Sequence, residues 1–492
     1  MNGAMKRFWP LVAAILVAAV LRCYRLGANS LWVDEIETLL LAQQSVAQIV
    51  RVSTSVNFIP PLYFVLVHGV LRICGESEVA LRLMSVVAGI CTIPAAWLLT
   101  QRITKSPGAA NITAALLAVN PLHIWYSQEA RPYALLTVFG ISGLAALERA
   151  MRTGSVGSWI AFSTSMGAAF LTHTIGLMFA VIAGVWALQS PAGRRSLWPL
   201  LTSSLAVFLS GLPFIIAISR ALQATHGTFH SPPRPLTGLE VGYTLFTYVG
   251  GYSFGPSPRE IQDLGALAAL RSNPLESGLA CAALVVVVLV CTLNRRRAAM
   301  IPFASLLGIP VAGILALSAL SGKAYNVRYT LPAVIGFLGM VSIAALALRP
   351  TSRALFMAGL IGISLWSDDQ WYSSMQYAKD DTRAAVAWLR EHLRPGATIA
   401  VAPEYAVGPL AYYSSKTFAD LDFVPLPEGS TLPHNTGLEG LVLTRLHHVP
   451  NWRTLKADFV EQTAAGVING RVTGYEMMAR TSLPRERTKD RR

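Results

Sequence analysis

The sequence predicts a mainly α, polytopic membrane protein with a small α/β domain after its last span. Three observations carry this. Asp, Glu, Lys and Arg make up only 13% of the 492 residues, against the ~25% usual in a soluble domain. The apolar residues fall in runs of roughly 15–24, which are bilayer-spanning lengths, separated by short basic or Pro/Gly-rich breaks. Past Asp368 the composition turns hydrophilic, and helix-like and strand-like patterns alternate.

The apolar runs lie at residues 8–24, 77–100, 108–125, 132–149, 158–172, 174–190, 197–218, 275–293, 299–320, 328–347 and 353–367, which points to about 11 to 13 spans. The first follows Lys6-Arg7, as a signal peptide would, but no small-x-small cleavage site comes after it. An uncleaved first helix is the expectation. "FIPPLYFVLVHGVLRIC", residues 58–74, is apolar but short and opens on Pro60-Pro61.

Parity decides how that piece is read. With a cytoplasmic N-terminus and a juxtamembrane or partly inserted 58–74, the connections near 101–107, 148–157, 191–196, 294–298 and 348–353 all fall inside. Each carries basic residues, as the positive-inside bias requires. A crossing 58–74 would put them outside. The net charge of +14, concentrated in groups such as Arg194-Arg195 and Arg295-Arg296-Arg297, is therefore topological, and no nucleic-acid partner is expected.

The same parity gathers other polar features on the extracytoplasmic face. They are Asp34-Glu35 within "NSLWVDEIET", "WYSQEARPY" at 125–133, His173, the connection 219–273, and "SGKAYNVRYT" at 321–330. The expected division is a membrane domain, 1–367, whose outer loop 25–76 carries the acid pair, and an extracytoplasmic domain, 368–492, ending in the basic tail "RERTKDRR". In that domain "DTRAAVAWLREHL" (381–393) reads as an amphipathic helix, and "PGATIAVAP" and "GLVLTRL" (440–446) read as strands.

Each polar feature has an ordinary reading beside a chemical one. Asp34-Glu35 is either a solvated acid pair or an employed one. Glu129 and Arg131, with Tyr126 nearby, form either an interfacial ion pair or a seat for a phosphate-bearing substrate, since the Arg fork matches phosphate oxygens. Lys323 and Arg328, with Tyr325 and Tyr329, are snorkelling anchors or a pocket for an anionic leaving group. His173 reads as a packing or capping residue. The five cysteines have no metal-ligand spacing, which argues against a disulfide scaffold or structural zinc. There is no Walker A loop, GxSxG elbow or HExxH motif. A membrane enzyme and a transporter of lipid-linked saccharides both fit these residues; the large outer loop and outer domain favour the enzyme.

Several stretches, in order, resemble one family. "SLWVDEIET", "NFIPPLYFVLVHGVLR", "EVALRLMSVVAG", "NPLHIWYSQEARPYALL", "NVRYTLPAV" and "YAKDDTRAAVAWLREHLRPGATI" are similar to bacterial membrane glycosyltransferases of the C-type fold, relatives of the protein O-mannosyltransferases and of the lipid A aminoarabinose transferase. The resemblance implies transfer of a sugar from a polyprenyl-phosphate carrier to an acceptor outside a bacterial cytoplasmic membrane. It implies that Asp34 receives the acceptor proton with Glu35 as its neighbour, that Glu129 and Arg131 match the family's acid-x-Arg pattern, and that Lys323 and Arg328 hold the lipid phosphate. Tyr126, Tyr325 and Tyr329 are expected supporting residues. No cofactor is expected. A divalent metal beside Asp34 is compatible with the resemblance, since more distant C-type relatives use one, although no ligand cluster stands out in the sequence.

Overall fold

The computed structural model of the chain describes residues 3–55, 59–224, 236, 238–294, 297–321, 324–416, 421–433, 437–445, 448–463 and 466–480. Lys323, Arg295-Arg296 and the basic tail 485–492 lie outside the described residues. The chain divides into two compact units. One comprises Met1–Leu26, Thr38–Ser257 and Leu270–Tyr372; the other comprises Gly27–Glu37, Pro258–Ala269 and Ser373–Arg492.

The helices follow in chain order. They begin α1 (Gly3–Cys23), α2 (Val33–Ala42), α3 (Val46–Ser55), α4 (Leu62–Cys74), α5 (Glu78–Thr104), α6 (Pro107–Ala118), α7 (Pro121–Ser127) and α8 (Tyr133–Thr153). Next come α9 (Val156–Thr172), α10 (Leu177–Gln189), α11 (Pro191–Arg195), α12 (Leu197–Ala224), α13 (Leu239–Gly250), α14 (Pro258–Leu264) and α15 (Ala266–Ser272). The rest are α16 (Pro274–Thr292), α17 (Arg297–Ser321), α18 (Ala333–Ala347), α19 (Pro350–Ser373), α20 (Thr382–His392), α21 (Val407–Lys416) and α22 (Trp452–Thr463).

Every apolar run of the sequence is helical, but not every run is one straight span. Among the described residues four helices are long and apolar enough to cross a membrane: α5, α8, α16 and residues Ala298–Leu320 of α17. A bent pair in α12 makes a fifth if it counts as one span. The others are shorter, interrupted or, like the 24-residue α19, less apolar. The run 108–125 breaks between α6 and α7, where Asn120 Oδ1 accepts from His123 N at 3.0 Å and Pro121 takes the first helical position, where it loses no intrahelical bond. Helix α4 has 13 residues, about 20 Å, short of the ~30 Å hydrocarbon core. Helix α16 leaves Val285, Val286, Val288 and Leu289 exposed, an apolar outer surface that water penalises and lipid does not.

The membrane unit packs α1, α5, α6 and α8 together, with α9 on α8 and α18 on both α6 and α17. Small residues permit the closest crossing. A Cβ on Gly336 of α18 would lie 2.6 Å from Leu307 N and 2.7 Å from Phe303 O of α17. Backbone atoms cannot swing aside as a side chain can, so the helices would have to separate. Gly336→Val is therefore expected to destabilise the membrane unit by about 1–3 kcal/mol or more, seen as a lower melting temperature of the detergent-purified protein. An unchanged melting temperature would contradict this packing.

The second unit is built on a five-stranded sheet of order β2-β1-β3-β5-β4, with β1 (Thr398–Ala402), β2 (Asp422–Pro425), β3 (Gly440–Thr444), β4 (Val467–Val472) and β5 (Tyr475–Arg480). Strand β1 runs parallel to β2 and β3, and β5 runs antiparallel to β3 and β4. All five residues of β3 are buried, which is why "GLVLT" reads as a continuous apolar run rather than an alternating one. Ala400, Leu441, Leu443 and Met478 join Leu455 and Phe459 of α22 in one core. Helix α20 starts where Asp381 accepts from Ala384 N at 3.1 Å. The helix and both strands expected in this domain are present as α20, β1 and β3; β2, β4, β5, α21 and α22 are additional.

Candidate functional site

The acid pair belongs to the second unit. Trp32 O accepts from Glu35 N at 2.9 Å and Ile36 N at 3.0 Å, which opens α2 and places Asp34 and Glu35 in its first turn. Carboxylates are favoured there because the first amides of a helix are not used within it. Asp34 is half-buried, Glu37 is exposed, and Glu35 is fully buried at 0% exposure. A buried carboxylate requires compensation. Lys379 Nζ supplies part of it, 3.9 Å from Glu35 Oε2.

Around this turn the second unit carries further charge. Lys379 Nζ and Arg445 Cζ each approach the Trp32 ring centroid to 5.6 Å. Asp380 accepts from Arg259 at 2.8 Å and from Arg445 at 3.2 Å. Burial pushes the Tyr475 phenol well above its ordinary range, so it stays neutral and shares a hydrogen bond with Thr382 Oγ1 at 2.9 Å.

The second group of predicted residues lies in the membrane unit, and the broken helix α6–α7 explains its placement. Breaking a helix strands its last carbonyls. Arg22, fully buried in α1, donates to Ala118 O at 2.9 Å and Leu117 O at 3.1 Å. It also donates to Ser127 Oγ at 3.2 Å. Gln128 does the same for α1: its Nε2 donates to Leu21 O, Arg22 O and Tyr24 O at 3.2, 3.1 and 2.9 Å. Its Oε1 accepts from Trp371 Nε1 at 2.8 Å. Gln128→Leu removes all four bonds and strands buried acceptors. It is expected to cost about 2–3 kcal/mol and to lower the melting temperature by several degrees in a thermal scan; no change would contradict the anchoring.

The anchored segment delivers Glu129 and Arg131, 2% and 6% exposed. Glu129 Oε2 accepts from Trp125 Nε1 at 3.2 Å. Arg131 Nη1 lies 3.5 Å from Thr38 Oγ1, and Ser85 Oγ, itself bonded to Tyr63 OH at 2.8 Å, donates to Arg131 O at 3.2 Å. Tyr126 OH shares a 2.9 Å hydrogen bond with Tyr252 OH. Arg328 sits in the 3-10 turn Val327–Thr330. Its Cζ is 5.1 Å from the Tyr329 ring centroid and 5.8 Å from that of Tyr133, and Nη2 donates to Tyr329 OH at 3.3 Å. His173 is in electrostatic reach of both Arg131 and Arg328, while its Nδ1 accepts from Ile175 N at 3.2 Å and caps the following turn.

The structure thus gathers Tyr126, Glu129, Arg131, Arg328 and Tyr329 in the membrane unit and Asp34 with Glu35 in the second unit. Tyr325 binds Thr244 Oγ1 through its hydroxyl at 2.7 Å. Lys323 is outside the described residues. Sequence reasoning missed Lys379, Arg22, Gln128 and Tyr252. Lys379 and Gln128 stood inside quoted motifs, but only the fold shows what they touch. Among the described residues no group of three or more His, Cys, Asp or Glu side chains stands close enough to hold a metal ion.

This geometry can be set beside known proteins. Residues 59–218 match the family described as dolichyl-phosphate-mannose-protein mannosyltransferase. No curated protein sequence matches the chain. Apo ArnT from Cupriavidus metallidurans superposes with a TM-score of 0.57 at 12% identity, covering 97% of this chain and 98% of that one. The same protein bound to undecaprenyl phosphate gives 0.52 at 12% identity, covering 95% and 97%. The oligosaccharyltransferase AglB from Archaeoglobus fulgidus, in complex with an inhibitory peptide and a dolichol-phosphate, gives 0.54 at 12% identity over 99% of this chain and 76% of that one. This chain has the C-type glycosyltransferase fold shared with ArnT and AglB, and over residues 59–218 it matches the mannosyltransferase family.

Proposed function

We propose that this protein is a membrane glycosyltransferase that moves a sugar from a polyprenyl-phosphate-linked donor to an acceptor on the extracytoplasmic side of a bacterial cytoplasmic membrane. The observation that carries the reading is the group of buried Arg131, Glu129, Tyr126 and Tyr133 with half-buried Arg328 and Tyr329. It is an aromatic-walled seat for an anion in a fold whose solved examples include complexes with undecaprenyl phosphate and dolichol-phosphate. The sidedness rests on the basic connections, which parity places opposite Asp34, Arg131 and Arg328 and on the other side from the C-terminal domain.

The chemistry needs no nucleotide, because a phosphosugar already carries its leaving group. The acceptor hydroxyl oxygen forms a bond to the anomeric carbon as the bond from that carbon to the phosphate oxygen breaks. The electron pair stays on the phosphate, and the configuration inverts. Asp34 takes the acceptor proton, with Glu35 as its supporting acid. Arg131, Arg328 and Lys323 stabilise charge developing on the departing phosphate, where fixed guanidiniums act without reorganisation. Tyr126, Tyr325 and Tyr329 shape the surroundings.

The test is incubation of the purified, monodisperse protein with a panel of radiolabelled polyprenyl-phosphate sugars and candidate acceptors. Glycoside formation, or slow donor hydrolysis without an acceptor, is expected from at least one donor. Folded protein that produces neither from a broad panel would refute the proposal.

A further inference from the structure

The segment "KDDTR", Lys379–Arg383, reads in the sequence only as the entry to the C-terminal domain. In the structure it holds the acid-pair segment at several points. Ser30 Oγ donates to Asp381 Oδ1 at 3.1 Å. Arg383 Nε donates to Ser30 Oγ at 3.3 Å and Nη2 to Gly27 O at 3.2 Å and to Ala28 O. Tyr413 OH accepts from Leu31 N at 2.8 Å. These bonds fix the backbone that leads into α2. They do not set the charge of its first turn.

Lys379 does. Its side chain is 9% exposed and that of its partner Glu35 is 0% exposed, so the pair is removed from water, where opposite charges interact strongly and a lone one is costly. Trp32, 5.6 Å from Lys379 Nζ, covers the ammonium. Asp380, the next residue, is committed elsewhere, to Arg259 and Arg445. Its carboxylate sits where a Cβ on Gly474 would meet Oδ1 at 2.3 Å, so a glycine at positive φ of 85° leaves room for it in the β4–β5 turn. Lys379 is thus a cation of this segment that pairs with Glu35 of the acid pair.

We propose that Lys379 is a positioning residue for transfer: by pairing with buried Glu35 it holds the first turn of α2 and keeps Asp34 aimed at the acceptor hydroxyl. This rests on the reading of Asp34 as the proton acceptor. It makes the C-terminal domain part of the catalytic apparatus rather than an appendage.

The experiment compares full-length wild type, Lys379→Met, Lys379→Arg, Glu35→Gln and Glu35→Gln/Lys379→Met, each monodisperse in detergent. Lys379→Met should lower kcat by about 100-fold, the scale set by a small misplacement of a reacting group, with the dissociation constant for polyprenyl phosphate unchanged. Lys379→Arg keeps the charge and should recover most of that loss. The double variant should be no worse than Glu35→Gln alone, since one pair is broken either way. Hydrogen–deuterium exchange in peptides covering 29–38 should rise in Lys379→Met. Unchanged exchange there, unchanged kcat, or multiplicative losses in the double variant would each overturn the proposal. Transfer that survives Asp34→Asn would be a different failure: it would overturn the role of Asp34, and the positioning role of Lys379 with it.

Discussion

Asp34→Asn is expected to lower transfer by about 10²–10⁴-fold while donor binding persists. Asparagine keeps the shape of aspartate and its preference for the start of a helix, so α2 has no reason to unwind. What it loses is the capacity to take a proton. The half-buried setting of Asp34 beside fully buried Glu35 suits this division of labour, since a base must reach substrate and a supporting acid need not. The comparison is single-turnover transfer against equilibrium binding of labelled polyprenyl phosphate, in variants with matched melting temperatures. Equal losses in both would reassign Asp34 to donor binding, and full activity would remove it from the mechanism.

Arg328→Met should have the next largest effect, about 10²–10³-fold on kcat, the usual consequence of deleting a fixed donor to developing negative charge. The guanidinium carbon lies 5.8 Å from the Tyr133 ring centroid and 5.1 Å from that of Tyr329, aromatic contacts that a planar guanidinium makes better than a strongly hydrated ammonium. Arg328→Lys, which retains charge without the planar fork, should fall between methionine and wild type. Because the charge interacts with ground-state phosphate too, donor affinity should weaken, but less than kcat. Turnover and donor affinity measured at two ionic strengths check this. Equal turnover in methionine and wild type would remove Arg328 from the phosphate site.

Much of this was legible in the sequence, for reasons that differ by region. Long apolar runs with basic punctuation report helices and parity because bilayer thickness and topology impose both. "WYSQEARPY" and "NVRYT" stood out because charges beside a span are costly unless employed. The break at Asn120-Pro121 was readable as a cap but was hidden inside an apolar run. The C-terminal strands β4 and β5 were not readable. "VINGRV" carries an Asn-Gly pair that favours a turn, yet Gly470 lies in β4, paired with Met477 of β5, and has no side chain because a Cβ there would meet the Trp388 indole at 2.2 Å. "YEMMAR" is made largely of helix formers, and pairing with β3 and β4 overrides that preference. Lys379 and Glu35 are far apart in sequence, and nothing local to either announces the pair.

The central claim is that a phosphosugar is cleaved and its sugar transferred, and a mass balance tests it most directly. Purified protein in proteoliposomes would be given a doubly labelled polyprenyl-phosphate sugar and an acceptor, with glycoside and free polyprenyl phosphate quantified together over time. Equimolar appearance of the two, lowered by about 10²–10⁴-fold in Asp34→Asn, is the predicted result. Intact donor moving between leaflets with neither product formed would contradict it and identify a transporter instead.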